Sequence, residues 1–442
     1  MAAAQRERWS SRSGFLLAAI GSAVGLGNMW RFSYLASDNG GAAFVVLYLA
    51  VTALVGLPVL LAEVVVGRGS QKSPIRALQH YGGSAWKPLG LVFVAAGFLI
   101  LSYYGVIAGW TVRYAVIALV TGFGPEVESA FGGIAQGWDA FGFHALFMVG
   151  TIAIVAGGVK AGIERAAIVL MPLLFLLLCG LAVYAATLDG GAPGYRHYLQ
   201  PDWSEVMSLE IFTKEAGQAF FSLSLGMGAM LTFGSYLGGD NHLPNETLVI
   251  AGADVGVAFI AGLVVFPVIF AFGLADKVGE STVGALFITL PQAFASMGAI
   301  GRVVGVLFFA SLIVGALTSA VSLLEVVVSS TIDGLGWTRR RAAWVMGATI
   351  AALGIPSAWS TNFLGVVDTV ANNLFLLGGG LALSVFVGWV MDDPVAEVSV
   401  GTDGIRWFGL WRTLLRFVAP ALLAIALLQA IPSTWQAILG LF

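Results

Sequence analysis

Long apolar runs recur from one end of this 442-residue chain to the other. Each run is long enough to cross a lipid bilayer, which takes about 20 apolar residues. The composition agrees, because 58% of the residues are hydrophobic and the mean hydropathy is +0.91, above the range of soluble domains. The runs predict an all-α polytopic membrane protein with eleven transmembrane helices, near 13–35, 42–67, 88–121, 143–159, 163–187, 215–237, 246–273, 300–332, 342–357, 361–391 and 409–430. The final residues, IPSTWQAILGLF, are too few for a twelfth.

The charges, the single cysteine and the positions of the histidines argue against several classes of protein. The formal net charge is −3, which does not favour a nucleic acid as partner, and one cysteine excludes a disulfide within the chain. The histidines lie in loops or at the ends of predicted spans, where they neither activate a nucleophile nor hold haem: His80, His144, His197 and His242. We therefore expect no enzyme; the lipid bilayer is the expected surrounding, and no obligate protein partner is evident.

Positive charge alternates between the loops, and this asymmetry orients a membrane protein. Arginines crowd the N-terminal segment, and lysines or arginines follow the second, fourth and eighth spans. The loop at 122–142 has neither lysine nor arginine. The pattern predicts a cytoplasmic N-terminus and, with eleven spans, an external C-terminus. The acidic loop at 392–408 fits this rule least well.

The first span is interrupted by GSAVGLGNMWRF (residues 21–32), which places three glycines, an asparagine and an arginine inside an apolar segment. A similar pattern returns in the sixth span, where SLGMGA (224–229) echoes AVGLGN (23–28). Glycine-interrupted spans at matching places in two halves indicate a transporter built from a 5+5 inverted repeat. The predicted divisions are an N-terminal gate segment at 1–12, a first repeat at 13–190, a second repeat at 210–391 and an eleventh span at 409–430.

A broken helix frees backbone groups that lipid cannot satisfy but that a polar cavity can use. Helix N-termini favour a carboxylate, and free carbonyl oxygens favour a hard monovalent cation. Side-chain oxygens near the breaks add to the supply: Ser22, Asn28, Ser222 and Ser224. The alternative is that the glycines only let helices pack closely. That alternative is preferred for one span alone, whereas the two breaks together favour a site.

Charged residues in apolar surroundings usually mark function in membrane proteins, and five occur here: Arg31, Glu63, Asp254, Glu325 and Asp368. Arg31 and Asp368 can pair across a vestibule. Asp254 has no basic neighbour in the sequence, so a bound cation is its natural partner. In the eighth span, the side chains of Thr318 and Ser319 point about 100° apart and can bracket a small site. From spacing alone, their hydroxyls are instead expected to bond to carbonyls one turn back.

These segments resemble the neurotransmitter:sodium symporter family. The run RERWSSRSGFLLAAIGSAVGLGNMWRFSYLASDNGGAAFVVLY is similar to its opening signature, and GIERAAIVLMP, GQAFFSLSLGMGA, FITLPQAF and LTSAVSLLE match later segments in order. The resemblance extends from Arg6 to about the tenth span. The chain looks most like the bacterial multi-hydrophobic amino acid transporter branch. This implies the leucine-transporter-like fold with broken helices 1 and 6, in a bacterial inner membrane.

The family pattern implies two Na⁺ sites. The first would combine the substrate carboxylate with the backbone of Ala23 and the side chains of Asn28, Ser222 and Asp254. The second would use the backbone of Gly21, Val24 and Gly315 with the hydroxyls of Thr318 and Ser319. Leucine-transporting relatives carry asparagine where Asp254 stands and glutamate one turn later, at Ala258. Chloride-dependent animal members are neutral at both positions, so the resemblance implies that Asp254 makes this chain chloride-independent.

The resemblance also implies a substrate site. The N–H groups of Leu26 and Gly27 and the Tyr104 hydroxyl would meet the substrate carboxylate. Carbonyls of Ala23, Phe221 and Ser224 would meet the amino group. The side-chain pocket would be lined by Ile100, Phe221, Met227, Ser319 and Leu323, with Ser222 shared with the first sodium site. Amine carriers of the family have an acid where this chain has Gly25, so the expected substrate is a hydrophobic or aromatic L-amino acid. A small amine or an osmolyte is the alternative.

The gates follow from the same resemblance. Arg31 and Asp368 match the outer ion-pair gate, with Tyr104 and Phe221 beneath them. At the inner face, Arg6 and Trp9 would hold the gate against Asp333 and Tyr236. Gly162 and Pro172 match a fifth-span hinge that unwinds to let water reach the second sodium site, although a proline kink alone also explains Pro172. The expected mechanism is sodium-driven alternating access around a midplane site.

Overall fold

The computed structural model describes residues 6–124, 126–206, 208–239, 241–274, 285–400, 402 and 407–441. Residues 1–5 of the predicted N-terminal segment lie outside the described residues, as do 401 and 403–406 of the acidic loop. Within those ranges the regular elements are helices, and an isolated bridge between Gly41 and Pro201 is the extent of β pairing. The predicted all-α class is confirmed.

Nine helices in the described ranges are long and apolar enough to cross a membrane: Ala42–Ser70, Ser84–Val120, Gly137–Ala156, Val159–Ala186, Leu243–Ala271, Ala299–Leu335, Arg339–Trp359, Thr361–Val390 and Phe408–Leu439. A tenth span is a bent pair, Arg12–Ala23 and Gly27–Asp38, whose axes differ by 58°. This bend is the predicted break of the first span. The sixth predicted span consists of two short helices, Leu209–Ser222 and Ala229–Gly234, and neither alone reaches the length of a crossing.

Burial separates central helices from peripheral ones. In the third and eighth spans (Ser84–Val120 and Ala299–Leu335), 67% of an apolar stretch of 18 residues is buried inside the protein. In the fifth and last spans (Val159–Ala186 and Phe408–Leu439) the share is 28%, which is what helices facing lipid require. The third and eighth spans pack along each other, and both broken spans contribute to the cavity beside them.

Two expectations differ from the structure. The last helix continues to Leu439, more than two turns beyond the predicted end of the eleventh span at residue 430. His144 was expected at a span end, but it lies inside the helix Gly137–Ala156 and is fully buried. Its Nε2 is 3.1 Å from the Ala351 carbonyl oxygen, which links the fourth and ninth spans. That contact is structural and leaves the exclusion of an enzyme unaffected.

The break of the sixth span depends on Gly226. Its φ is +75°, and an added Cβ would lie 2.2 Å from the Leu376 carbonyl oxygen. We expect Gly226→Ala to abolish folding, because a left-handed conformation costs a non-glycine residue about 1–3 kcal/mol before the backbone clash is counted. Gly298→Ala is the matched control, since Gly298 has a φ of +62° with nothing within 4 Å of the added Cβ. Size-exclusion profiles and thermal unfolding in detergent measure both variants; equal behaviour would contradict the role of the Leu376 contact.

Candidate functional site

The first span is unwound between its two helices. Val24, which follows the helix Arg12–Ala23, has extended backbone angles (φ −79°, ψ 103°). The freed N–H of Gly25 donates to Asn28 Oδ1 (3.0 Å), and that of Leu26 donates to the Tyr104 hydroxyl oxygen (3.3 Å). The sequence therefore breaks the helix where an asparagine and a neighbouring tyrosine can satisfy the exposed backbone, as the low-dielectric surroundings demand.

The sixth span turns through three residues with positive φ: Ser224 (+54°), Gly226 (+75°) and Gly228 (+73°). The fully buried carboxylate of Glu63 accepts hydrogen bonds from the N–H groups of Gly226 (2.9 Å) and Leu231 (3.2 Å). The Ser224 hydroxyl donates to the Ser22 carbonyl oxygen of the first span (2.7 Å). Glu63 thus holds the second break open, and Ser224 joins the two breaks.

A small cavity lies between the two breaks. All eleven residues predicted to bind substrate line it: Ala23, Leu26, Gly27, Ile100, Tyr104, Phe221, Ser222, Ser224, Met227, Ser319 and Leu323. Ser22, Gly25 and Asn28 complete the described lining, and none of these fourteen residues has an acidic or basic side chain. Gly25 has no room for one, since an added Cβ would lie 2.6 Å from Ser319 Oγ and 3.0 Å from the Tyr104 hydroxyl. Polar backbone groups of the unwound segments lie at one end of the cavity, and apolar side chains form its wall.

The predicted first sodium site is a buried cluster of oxygens. Asn28 Nδ2 donates to Ser222 Oγ (2.8 Å) and to Asp254 Oδ1 (2.6 Å), and the Ser222 hydroxyl donates to the same Asp254 oxygen (2.8 Å). Ala23 lines the adjoining cavity. Sequence reasoning missed Tyr48, whose hydroxyl donates to Asp254 Oδ2 (3.1 Å). No local pattern identifies Tyr48, because it comes from the second span and is one buried aromatic among many.

The predicted second sodium site brings the first and eighth spans together. The Ser319 hydroxyl lies 3.3 Å from the Gly21 carbonyl oxygen and 3.4 Å from that of Val24. The Thr318 hydroxyl instead donates within its own helix, to the carbonyls of Val314 (3.1 Å) and Gly315 (3.0 Å). Thr318 therefore forms the expected hydrogen bond one turn back in its own helix, whereas the Ser319 hydroxyl faces the broken first span.

A second and larger cavity adjoins the substrate cavity, and we call it the outer cavity because the predicted outer-gate residues line it. Arg31 and Asp368 both line it, with Tyr104 and Phe221 at its base. Among the described residues Arg31 forms no ion pair within 4.0 Å; its guanidinium lies over the Phe221 ring, 5.5 Å from the centroid. Asp368 instead accepts a hydrogen bond from Asn372 Nδ2 (2.7 Å). The predicted outer pair thus faces a shared opening without closing it.

At the opposite end the N-terminal segment is firmly bonded. Arg6 pairs with Asp333 (2.9 Å), donates to Ser235 Oγ (2.6 Å), and lies 4.9 Å from the centroid of the Tyr236 ring. The Trp9 indole N–H donates to the Phe233 carbonyl oxygen (3.0 Å). The predicted inner-gate residues are therefore in contact in this structure, and this end is closed.

Two carboxylates that sequence reasoning passed over strengthen that closure. Glu7 Oε2 accepts from the N–H of Val159, at the start of the fifth span (2.6 Å), and Glu7 Oε1 accepts from Arg339 (2.6 Å). In return, Glu164 of the fifth span accepts from the N–H of Ser10 (2.8 Å) and the hydroxyl of Ser11 (2.9 Å). Each segment thus satisfies backbone or side-chain donors of the other. The motif GIERAAIVLMP contains Glu164, but nothing in it shows which distant segment the side chain meets.

The predicted hinge of the fifth span is helical here. The helix runs from Val159 to Ala186 with Pro172 inside it, and its first turn is wide, of the π type, at Val159–Glu164. Gly162 is packed so closely that an added Cβ would lie 1.9 Å from the Ile154 carbonyl oxygen. The predicted unwinding at Gly162 and Pro172 is not seen in this structure, so the hinge function stays a prediction.

The described part of the chain contains no group of three His, Cys, Asp or Glu residues that could hold a metal ion. A cation at the first predicted sodium site would therefore have Asp254 as its one charged side-chain ligand among neutral oxygens, and a cation at the second would have neutral oxygens from the residues predicted for it. Such a donor set suits a weakly bound monovalent cation better than a structural divalent metal. The chemistry of the cluster fits an ion that binds and leaves during transport.

Comparisons with known proteins identify the family and the fold. The profile of the "Sodium:neurotransmitter symporter family" matches residues 6–124 and 136–438. An uncharacterized sodium-dependent transporter of Bacillus subtilis is 33% identical over 96% of this chain and 97% of its own, and one of Haemophilus influenzae is 30% identical over 95% and 97%. The crystal structure of MhsT in complex with L-phenylalanine superposes with a TM-score of 0.89 at 43% identity, covering 96% of this chain and all of that one. This chain is a member of the sodium:neurotransmitter symporter family, a multi-pass, sodium-dependent membrane transporter and not an enzyme.

Proposed function

We propose that the protein imports hydrophobic or aromatic L-amino acids together with Na⁺. The observation that carries this proposal is the cavity between the two breaks, with backbone N–H groups at one end, an apolar wall, and no charged side chain in its lining. The backbone end suits a carboxylate, and carbonyl oxygens suit an ammonium group. The similar structure of MhsT was solved with L-phenylalanine, which has these three chemical parts.

The apolar wall sets the expected range of side chains. Ile100, Met227 and Leu323 are buried around the cavity, and Phe221 is the half-buried residue between it and the outer cavity. Methionine adapts its shape to different neighbours, so we expect leucine, phenylalanine, tyrosine and tryptophan all to be accommodated. A small amine or osmolyte carrier is the alternative within the family. It is disfavoured because the lining has no acid for a lone ammonium group.

Sodium would enter as a second substrate. Asp254 is fully buried, and the described residues give it no cationic side chain as partner. An isolated buried carboxylate is costly, and a Na⁺ ion beside it removes that cost. The amino acid itself is a zwitterion with no net charge, so Asp254 would supply the fixed negative charge beside the cations, and no chloride would be needed for that role. Each net charge moved inward gains about 2.3 kcal/mol per 100 mV of membrane potential.

The structure also suggests how access alternates. The outer cavity reaches down to Phe221, whereas Arg6, Trp9, Glu7 and Glu164 close the other end. We assign the closed end to the cytoplasm, because Arg6, Lys72, Arg76 and Arg339 line a single cavity there. Substrate binding would let Arg31 and Asp368 approach each other and close the outer cavity. The contacts of the N-terminal segment would then break, and the amino acid and Na⁺ would leave toward the cytoplasm. The C-terminus would then lie outside.

Competition binding tests the substrate class. Labelled L-phenylalanine is bound to the purified chain in Na⁺ and displaced by leucine, tryptophan, phenethylamine or glycine betaine. We expect leucine and tryptophan to compete, and phenethylamine, which lacks only the carboxylate, to fail. Gly25→Ala should abolish binding because it fills the cavity, whereas Gly252→Ala, with nothing within 4 Å of its Cβ, should bind normally. Displacement by phenethylamine or betaine, but not by leucine, would favour the alternative.

A further inference from the structure

Glu215 is a buried acid that neither the substrate site nor the sodium sites use. It lies in the outer helix of the sixth span, Leu209–Ser222, and its exposed fraction is 0%. Neither of its carboxylate oxygens has a hydrogen-bond partner in the described residues. An ionisable residue inside a membrane span is a functional candidate, and one without a partner calls for a ligand from outside the chain.

Among the residues that the structure describes, no basic side chain forms an ion pair with Glu215. The segments packed against its helix are Gly27–Arg31, Ala42–Val51, Thr52–Gly56, Ala371–Leu376, Leu377–Val385 and Ala419–Leu439. They carry two titratable side chains, Arg31 and Tyr48. Arg31 lies over the Phe221 ring, and the Tyr48 hydroxyl donates to Asp254.

The other charges of this region lie at the outer end of the helix. Lys214, next to Glu215 in the sequence, pairs with Glu210 (3.1 Å), and the two are 38% and 76% exposed. Tyr34 and Asp38 of the first span are electrostatic neighbours of Lys214. These groups leave Glu215 without a counter-charge. Because a buried carboxylate without a cation is strongly disfavoured, the acid is stable here when it carries a proton.

The residue that can accept a hydrogen bond from the protonated carboxyl is Gln218. It is three residues further on, so it shares a helix face with Glu215, and it is also fully buried. Gln218 Nε2 donates to the Gly27 carbonyl oxygen at the break of the first span (3.2 Å), while Gln218 Oε1 has no hydrogen-bond partner within the described ranges. A protonated carboxyl has one O–H to donate, and the amide oxygen is a free acceptor.

We propose that Glu215 is a proton-binding site whose O–H donates to Gln218 and thereby fixes the Gly27 backbone. Loss of the proton to external water breaks the Glu215 O–H bond and leaves two acceptors facing each other. The Gln218 amide then turns its N–H toward the carboxylate and gives up the Gly27 carbonyl. The consequence for substrate rests on the proposed function, because Gly27 lines the amino acid cavity. Substrate affinity therefore falls as the external pH rises.

The test is Glu215→Gln, because glutamine has an N–H donor that it cannot lose. We expect phenylalanine affinity of the wild-type chain in Na⁺ to weaken about tenfold between about pH 6 and about pH 9, the effect of one buried hydrogen bond. Glu215→Gln should keep the low-pH affinity throughout. Glu210→Gln, an exposed acid of the same helix, should behave like the wild type. Asp254 is present in all three proteins, so its own titration cancels in the comparison.

A second measurement does not need the substrate. The wild-type infrared spectrum at neutral pH should contain a protonated-carboxyl band that disappears in Glu215→Gln and persists in Glu210→Gln. Absence of that band, or a wild-type pH profile in Glu215→Gln, would overturn the proposal. Extra bound sodium in the wild type without the band would overturn it in favour of Na⁺. If phenylalanine binds none of the three proteins at any pH, the proposed function fails, and the infrared band still decides the proton site.

Discussion

Asp254→Asn is expected to make transport depend on chloride. In chloride-free buffer we expect Na⁺-driven uptake of phenylalanine to fall about a hundredfold, because removing one member of a buried charged cluster costs about 3 kcal/mol or more. Added chloride should restore part of the lost uptake, since it supplies the negative charge that the carboxylate provided. Uptake into proteoliposomes, with gluconate replacing chloride on both sides, measures this.

The control for this variant is Asp202→Asn, which removes an exposed acid without touching the cluster of Asn28, Ser222 and Asp254. It should transport like the wild type in either buffer. The wild type itself should ignore the exchange of chloride for gluconate. Chloride-dependent uptake by the wild type would contradict the role given to Asp254, and equal uptake by Asp254→Asn in both buffers would contradict it as well.

Arg6→Ala is expected to open the inner gate. The substitution removes the ion pair with Asp333, the hydrogen bonds to Ser235 and the contact with Tyr236. Together these contacts stabilise the closed end by more than about 1.4 kcal/mol, so its open population should rise at least about tenfold. A reporter cysteine at the buried position Ala18, in a Cys179→Ala background, should then react correspondingly faster with a membrane-impermeant maleimide from the cytoplasmic side.

Arg8→Ala provides the comparison for Arg6→Ala. Arg8 is an exposed arginine of the same N-terminal segment. Its removal should leave labelling at the wild-type rate. Equal labelling of the Arg6→Ala and Arg8→Ala proteins would show that the Arg6 contacts do not hold the gate. Faster labelling from the external side alone would mean that the two ends have been assigned the wrong way round.

Residue type alone predicted the two breaks and several side-chain oxygens beside them. Glycines and Asn28 in an apolar span make a continuous helix unfavourable, and the structure unwinds the chain there. The resemblance to a known family then supplied residues from distant spans, and the structure gathers the eleven predicted substrate residues around one cavity. Their roles in binding stay predictions, as do the inverted relation of the two halves and the orientation in the membrane.

What sequence reasoning missed are contacts between segments far apart in the chain. Tyr48 meets Asp254 across 206 positions, and Glu7 meets Val159 across 152. A tyrosine or glutamate carries no local mark of such a partner. Thr318 and Ser319 show the same limit at neighbouring positions: both suit a bond one turn back, and the proximity of the broken span gives Ser319 different acceptors. Glu215 went unnoticed because its lack of a partner is a property of the packed structure.

The most direct test of sodium-coupled amino acid import is phenylalanine uptake by proteoliposomes holding the wild-type protein. An inward Na⁺ gradient is compared with equal Na⁺ on both sides and with K⁺ replacing Na⁺. We predict accumulation above the external concentration with the gradient, equilibration without it, and no uptake in K⁺. Equal uptake under all three conditions, or none in a preparation that binds phenylalanine, would contradict sodium coupling.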